Sequence, residues 1–558
     1  MKSRKSKFLS AFVAAFLFLT LVPVFSSAAD SVTDERFAPS GPDVSGAGGY
    51  TGVHFDDGRY IAHGPSFLGA ISRLGAYTDC ESLEDPKCSD TFYYNWRAYL
   101  SPCVTATDFD CVESLSAIKE DGSKIAGVLS RKYPTSFKTS YKGDPSVNLP
   151  SGGEPSLWHF DGITHSGGTE FFLAPNYDSY NWYLKKGSEQ TRLQVGLYPV
   201  SIETGTNFHP DVTSGAGGLV GGDHTCVFSI EGSCLRKESF PANIGYEVKL
   251  RLKTPVLGWI HARLRLPTVS MIKNAQGTTD LTISALPVLV PVTYAWAKNT
   301  ELPSDLNQYL DSKNVGGSFY FGTPGGKRSE VAVLRDANSE YDEESFKEFS
   351  LWLPVIKERA AAVKSTWSFR TLGGYLARVS GTGACYSKDS QLGGIVTTNA
   401  TVYISSPPTF NPTDQSLDYK VASPHFDKTG TIELKGNYDL AIRSDVARCL
   451  YGYTNAPVSA TISVVSANGT NQVATTVVSE KNGWLYLSAN NFTYSSPTLK
   501  VKLIQDASTP VVTPTPTPTP TATIKPVPIQ KTIVCVKGKI TKKIKAISPK
   551  CPSGYKKK

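Results

Sequence analysis

The stretch YEVKLRLKTPVLGWIHARLRLP, residues 246–267, indicates the fold class of this chain. In its first eight residues the apolar side chains Val248, Leu250 and Leu252 alternate with polar ones, which is the period-two pattern of a strand with one buried face. The pattern returns after the turn TPVLG, where the apolar positions are Ile260, Ala262, Leu264 and Leu266. Two neighbouring strands joined by a turn are therefore predicted here.

The polar positions of the same stretch after Glu247 gather basic side chains on the faces opposite the apolar ones. They are Lys249, Arg251 and Lys253 on the first predicted strand and His261, Arg263 and Arg265 on the second. Two interpretations remain open: a solvated outer face balanced by acids from neighbouring strands, or a patch that binds an anionic ligand.

Similar short alternating segments, broken by Gly and Pro clusters, continue along the chain and predict a mainly β protein. Residues 342–364, DEESFKEFSLWLPVIKERAAAVK, have helical spacing instead, and Pro354 should kink or split that helix. Turn signals at Asn468-Gly469 and Asn482-Gly483 separate the later strands. We expect a β-sandwich there, immunoglobulin-like in its length and strand spacing.

The predicted segments follow from these patterns. They are a signal peptide (1–29), a β-rich N-terminal domain (30–299), a mixed connector with the helix (300–366), a β-sandwich domain (367–505), a Pro-Thr linker (508–530) and a small basic tail closed by a disulfide (531–558).

The N-terminus has the pattern of a secretory leader. Four positive charges in MKSRKSK precede an apolar run from Phe8 to Val22, and small residues at Ser27 and Ala29 predict cleavage before Asp30. The apolar stretch at residues 281–297 is interrupted by Pro287 and Pro291, which favours a strand over a membrane span. No transmembrane helix is expected in the mature chain.

The ten cysteines form an even set whose spacing suggests five bridges. Three intervals enclose seven residues each and predict stapled loops, and two cysteine pairs are left over. The predicted pairs are Cys80-Cys88, Cys103-Cys111, Cys226-Cys234, Cys385-Cys449 and Cys535-Cys551. Full pairing behind a leader is typical of an oxidising compartment. The Cys385-Cys449 bridge is expected to tie the two sheets of the sandwich.

Positive charge is concentrated at the two ends of the chain. The formal net charge is +8, to which the leader contributes +4 and residues 531–558 contribute +10, so residues 30–530 carry −6. A nucleic-acid binder that used its whole folded face would spread positive charge over that face. The predicted binding group for anions is therefore the tail, through Lys537, Lys539, Lys542, Lys543, Lys545, Lys556, Lys557 and Lys558.

The linker before the tail, STPVVTPTPTPTPTATIKPVPIQ, has proline at every second position from Pro514 to Pro520. Such a sequence favours polyproline II, and 23 residues at about 3.1 Å each would span about 70 Å. A cationic tail on such a linker predicts an anionic partner in the cell envelope, either a teichoic-acid-type polymer or lipid headgroups. Extracellular nucleic acid, bound without sequence specificity, is an adequate partner as well. A solubilising end with no ligand is the other interpretation.

Several segments resemble recurring modules of exported proteins from Gram-positive-type bacteria. They are SDVARCLYGY (444–453), VVSEKNGWLYLSANNFTYSSPTLKVKL (477–503), GWIHARLRLPTVSM (258–271) and the tail CVKGKITKKIKAISPKCPSGYKKK (535–558). The resemblance implies a β-rich surface protein and adds no catalytic residue.

No motif for catalysis, metal or cofactor binding emerges. There is no CxxC, and no cysteine lies near paired histidines at ligand spacing, so neither a metal nor a cofactor is predicted. His159, Asp161 and His165 are the best candidates for acid-base work, although capping of turns is the simpler role. The leading hypothesis is a non-enzymatic surface protein; the alternative is a secreted hydrolase acting on polysaccharide, which would require facing carboxylates or both histidines at one acid.

Overall fold

The computed structural model describes a β-rich protein with two compact units, Met1–Asp506 and Ala507–Lys558. We call the first unit the body and keep the name tail for residues 531–558. The described residues are 33–37, 41–42, 48–56, 64–134, 141–182, 191–208, 226–313, 328–329, 332–336, 343–372, 385, 392–453, 458–465, 471–473, 475–494, 498–505 and 530–558. The predicted signal peptide, and the predicted linker apart from Gln530, lie outside them.

Strands make up most of the described body. The first sixteen are β1 Tyr50–Phe55, β2 Phe67–Ile71, β3 Tyr77–Asp79, β4 Tyr93–Tyr99, β5 Cys111–Ile118, β6 Lys124–Lys132, β7 Ser156–Phe160, β8 Phe171–Trp182, β9 Arg192–Thr204, β10 Cys226–Ile230, β11 Ser233–Lys237, β12 Gly245–Leu252, β13 Gly258–Arg263, β14 Arg265–Lys273, β15 Thr279–Leu286 and β16 Val288–Lys298. The others are β17 Val333–Asp336, β18 Ala362–Thr371, β19 Leu392–Thr398, β20 Val402–Tyr403, β21 Thr409–Asn411, β22 Ser416–Ala422, β23 Lys435–Arg443, β24 Val458–Val465, β25 Asn471–Val473, β26 Thr475–Lys481, β27 Trp484–Thr493 and β28 Thr498–Gln505. The mainly β prediction is confirmed.

One long sheet runs through the middle of the body. Its strand order is β3-β2-β4-β8-β9-β18-β13-β19-β23-β27-β26, antiparallel except where β13 pairs with β19. Strands from the predicted N-terminal domain therefore bond directly to strands from the predicted sandwich domain. The hydrogen-bonded sheet crosses both predicted boundaries, at residues 299 and 366.

Two further sheets cover opposite faces of the long sheet. The first covering sheet has the order β6-β5-β12-β15-β14, and Leu115, Val248 and Ile283 on it share a core with Leu173 and Ile260 of the long sheet. The second covering sheet contains β22, β28 and β24. Its buried residues pack with those of β19, β23 and β27 in a second core.

The middle of the long sheet is thus buried on both faces. On β13 the side chain of Ile260 belongs to the first core, whereas its neighbour Trp259 belongs to the second. The second core lies between two sheets formed mostly by residues 392–505, in line with a sandwich; the immunoglobulin-like topology remains a prediction.

Smaller elements extend this framework. β16 and β17 flank β1, and β16 also pairs with β18; β10 and β11 extend β9; β7 links β6 to β8. The apolar stretch at residues 281–297 is divided between β15 and β16. No helix among the described residues is long and apolar enough to cross a membrane.

The described helices are α1 Ser304–Ser312, α2 Glu343–Trp352 and α3 Ser444–Tyr451. The predicted helix over residues 342–364 is wrong in its second half, because α2 ends before the Leu353-Pro354 step. The ring of Pro354 disfavours the helical conformation at Leu353, the residue before it. The chain then turns, and β18 begins at Ala362. Phe349 and Trp352 of α2 are fully buried and pack in one core with Phe55 and Leu306.

All five predicted disulfides are formed, and no described cysteine is free. The expected role of the fourth is wrong: Cys449 lies on α3, so the bridge joins Cys385 to a helix and does not tie two sheets. Bridges of sequence separation 8 staple three loops of the body.

The tail forms a sheet of its own with the order β30-β29-β31. Its strands are β29 Lys531–Lys537, β30 Ile540–Ala546 and β31 Lys556–Lys557. Gly538, with φ +59°, opens the two-residue turn between β29 and β30, a conformation that glycine adopts without strain. Cys535 is fully buried and carries the bridge to Cys551.

Candidate anion-binding site

The basic patch predicted for the body is not assembled, because its two strands do not pair with each other. β12 lies between β5 and β15 in the first covering sheet. β13 lies between β18 and β19 in the long sheet. Lys249 and Arg251 on β12 therefore lie in a different layer of the body from His261 and Arg263 on β13, whereas Arg265 begins β14, in the same sheet as β12.

On β12 the basic side chains pair with acids of the adjacent strands. The Lys249 ammonium lies 2.8 Å from Glu113 Oε1 and 3.1 Å from Asp280 Oδ2. Arg251 lies 3.1 Å from Glu113 Oε2 and also donates to carbonyls of the 103–111 loop. The hydrogen bond to Glu113 raises the pKa of Lys249. The interpretation of a face balanced by neighbouring acids accounts for both residues.

Lys253 directly follows the last residue of β12, and Arg265 is the first residue of β14. The Lys253 ammonium is 4.8 Å from the centre of the Phe109 ring, a cation-π contact. The positive charge of Arg265 favours the ionised form of the buried Asp439 carboxyl. Burial is the largest influence on that carboxyl and raises the pKa of Asp439, although Ser488, Leu266 and Arg265 favour its ionised form.

His261 and Arg263 are buried in the middle layer, 3% exposed each. His261 Nε2 lies 3.0 Å from the carbonyl of Ser406, and the Arg263 guanidinium donates to the carbonyls of Thr398 and Ala400. Arg263 also stacks on Tyr403, 4.5 Å from the ring centre. The outer surface predicted for these residues is wrong, because β13 has a sheet packed on each side.

The two candidate histidines of the body do not converge on one acid. His159 Nδ1 lies 3.1 Å from the hydroxyl of Ser130. His165 Nε2 lies 2.9 Å from the carbonyl oxygen of Glu170, and His165 Nδ1 accepts a hydrogen bond from the amide of Gly167. Burial lowers the pKa of His165. The described residues contain no group of three or more His, Cys, Asp or Glu that could hold a metal ion.

In the tail, strand alternation divides the lysines between two faces. Paired residues of an antiparallel sheet share a face, so the register fixes the sets. We call the first set the crossed face: Lys531, Ile533, Cys535, Lys537, Ile540, Lys542, Ile544, Ala546 and Lys557. We call the second set the open face: Thr532, Val534, Val536, Thr541, Lys543, Lys545, Lys556 and, by continued alternation, Lys558, whose amide donates to the carbonyl of Val534.

The crossed face is interrupted by the chain that connects β30 to β31. Cys551 bonds to Cys535 on this face, and the Tyr555 ring lies 5.3 Å from the Lys542 ammonium. A side chain added at Gly554 would meet the Lys537 ammonium at 3.2 Å. The lysines of this face are thus separated by packed chain.

The open face is bordered by lysines on two sides. Lys543 and Lys545 project from β30 on one side, and Lys556 projects from β31 on the other. All three are exposed, while Val534 and Val536 of the central strand are half-buried between the two rows. Lysines in a row are about 7 Å apart, and the rows are about 10 Å apart. The tail sequence contains no Asp or Glu to neutralise them.

Lys539 and Lys550 lie outside the two faces, in the β29-β30 turn and in the crossover. Eight of the ten tail lysines were predicted as binding residues without a division between faces, although period-two alternation along Lys542-Lys543 and Lys556-Lys557 indicates that neighbours lie on opposite faces.

Residues 33–37, shortly after the predicted leader, form an anchor that was not predicted from the sequence. Glu35 is 7% exposed, forms an ion pair of 2.8 Å with Lys237, and accepts two hydrogen bonds from Ser365. Its neighbour Arg36 pairs with Glu238 at 2.7 Å. Residues 33–37 thereby hold β11 and β18 together. The segment TDERF has no periodicity from which this role could have been inferred.

No family model, no curated protein and no solved structure matches this chain.

Proposed function

We propose that this protein is an exported, cell-envelope-associated surface protein without catalytic activity, held in place through its tail. The partner is an anionic polymer of the envelope or a layer of anionic lipid headgroups, and extracellular nucleic acid is a non-specific partner. The observation that carries the proposal is the contrast in charge: ten lysines and no acid in residues 531–558, against −6 for residues 30–530.

Export is supported by the leader pattern of residues 1–29 and by five disulfides with no free thiol among the described cysteines. The resemblance of the tail and of residues 477–503 to modules of exported proteins points the same way. The Pro-Thr sequence before the tail suits a spacer that holds the body away from the surface to which the tail binds.

Attachment by charge has a physical consequence that distinguishes it from a covalent or membrane anchor. Interactions between exposed charges are screened over a Debye length of about 8 Å at physiological ionic strength and about 3 Å at 1 M salt. A protein held by exposed lysines should therefore leave the cell surface in concentrated salt.

The test is to wash intact cells that display the full chain. We expect release in 1 M salt, where the screening length of about 3 Å is well below the lysine spacing of about 7 Å. Replacing all ten tail lysines by glutamine, with the bridge retained, should abolish binding, whereas replacing them by arginine should preserve it. Retention in molar salt, or retention of a chain lacking residues 531–558, would refute attachment by the tail.

A further inference from the structure

The two faces of the tail sheet carry similar numbers of lysines but differ in continuity. Four lysines belong to the open face and four to the crossed face. On the crossed face, the Cys535-Cys551 bridge and Tyr555 fill the space between the lysines. On the open face, only the small side chains of β29 lie between the lysine rows. A long linear ligand can therefore lie flat on the open face alone.

We propose that the open face binds one chain of a linear phosphodiester polymer, laid along β29 between the two lysine rows; this rests on the function proposed above. Val534, Val536 and Thr532 form the strip of β29 between the two lysine rows, on which the polymer would lie. Lys543 and Lys545 reach the chain from one side, and Lys556 and Lys558 from the other. Rows with a repeat of about 7 Å suit a flexible polymer that bears one phosphate per short repeat.

The composition of the open face favours such a polymer over nucleic acid. Single-stranded nucleic acid gains affinity by stacking its bases on aromatic side chains. Tyr555 is the one aromatic residue of the tail sequence, and it packs beside Lys542 on the crossed face. The open face offers phosphate contacts and hydroxyls, with no platform for bases.

The same composition disfavours a lipid surface. Interfacial binding requires apolar side chains that enter the headgroup boundary. The exposed large apolar residues of the tail are Ile540, on the crossed face near the turn, and Ile547, in the crossover. The valines of the open face are half-buried within the sheet.

The experiment compares two variants of the full chain that lose the same charge. The open-face variant is Lys543→Gln, Lys545→Gln, Lys556→Gln, and the crossed-face variant is Lys531→Gln, Lys537→Gln, Lys557→Gln. Both leave the Lys542-Tyr555 contact and the bridge in place. Binding of fluorescently labelled poly(glycerol phosphate) is measured by anisotropy over a series of salt concentrations, and peptide mapping verifies the Cys535-Cys551 bridge.

The open-face variant should bind at least about tenfold more weakly, since each lysine near an anionic surface contributes on the order of a factor of five. The negative slope of log affinity against log salt should become less steep by about 2, because three phosphate contacts are lost and each contributes about 0.7. The crossed-face variant should change affinity less than about threefold, as expected for charges that act through solvent at a distance.

Other outcomes separate this inference from the proposed function. Equal losses of affinity in both variants would mean that net charge alone binds the polymer. That result would overturn the assignment of the polymer to the open face and leave attachment by the tail intact. Unchanged binding in both variants would overturn the assignment to the open face, and attachment by the tail would then be judged by the chain that lacks residues 531–558. Tighter binding of an oligothymidylate than of poly(glycerol phosphate) of equal charge, or binding only to phosphatidylglycerol vesicles, would overturn the assigned ligand.

Discussion

Strand β12 of the body and strand β30 of the tail carry the same pattern of alternating basic side chains on an antiparallel sheet. On β12, Lys249 is held between Glu113 and Asp280 on the flanking strands. On β30, Lys543 and Lys545 lie opposite Val534 and Thr532, in a segment without acids. The neighbouring strands therefore decide whether a row of lysines serves the fold or remains available to a ligand.

The largest effect is expected where a buried cation of the body neutralises a buried carboxylate, as Lys237 does for Glu35. Lys237→Met would leave the Glu35 carboxylate buried without its counter-charge, and it should destabilise the body by about 3–5 kcal/mol. Urea unfolding followed by tryptophan fluorescence reports on the body alone, because all eight tryptophans precede the tail.

The matched control is the double variant Glu35→Gln, Lys237→Met, which removes both charges and should recover part of the loss. A single variant that loses less than about 1 kcal/mol would show that this pair behaves like an exposed one, and the contrast between buried and available cations would weaken.

The next effect concerns the tail, whose sheet has one fully buried apolar residue, Cys535. The bridge of sequence separation 16 contributes about 3 kcal/mol in the chain-entropy model, and units below about 40 residues commonly depend on such a cross-link. The variant Cys535→Ser, Cys551→Ser should unfold the tail and leave the body unchanged.

Hydrogen exchange of peptides from residues 530–558 measures this change, with body peptides as the internal control. Amide protection that persists in β29 without the bridge would show that the lysine-bearing sheet is stable by itself, and the tail would then resemble the body more than we infer.

The smallest effect is expected when the same substitution, lysine to glutamine, is made once in β12 and once in β30. Lys249→Gln should cost about 1 kcal/mol by leaving Glu113 and Asp280 facing each other, whereas Lys543→Gln should change stability by less than about 0.5 kcal/mol. Because the pKa of Lys249 is raised in the folded chain, its contribution is present below the ordinary lysine pKa and is lost as the pH rises through the raised value.

Urea unfolding measured from neutral to strongly alkaline pH tests whether the contribution of Lys249 to stability falls as the pH rises. The difference between the parent chain and Lys249→Gln should shrink as Lys249 loses its proton, and Lys543→Gln should parallel the parent throughout. A difference that is constant with pH would mean that Lys249 contributes through packing alone.

Much of the fold could be predicted from local patterns. The alternation Val248-Leu250-Leu252 gives β12 its buried face, and burial of this side is what the structure shows. Three of the five bridges follow from a repeated short interval, and the other two join the four cysteines that remain. The end of α2 follows from Pro354, although the strand that begins at Ala362 does not.

The errors have a common physical origin. Period-two alternation indicates that side chains point to two sides of a sheet, and it does not say whether a second sheet covers the polar side. His261 and Arg263 alternate like Lys249 and Arg251, yet they are buried because β13 lies in the middle of three layers. Which strands become neighbours depends on contacts between residues more than a hundred positions apart, such as β13 with β18 and β19.

By itself the sequence determined the β character of the chain, the three short-interval cysteine pairs and the concentration of lysines after residue 530, because each of these depends on local composition or spacing. Only the tertiary structure decided which cations are neutralised and which are presented. That outcome depends on the strands packed beside and above each side chain, and residues distant in the chain supply them.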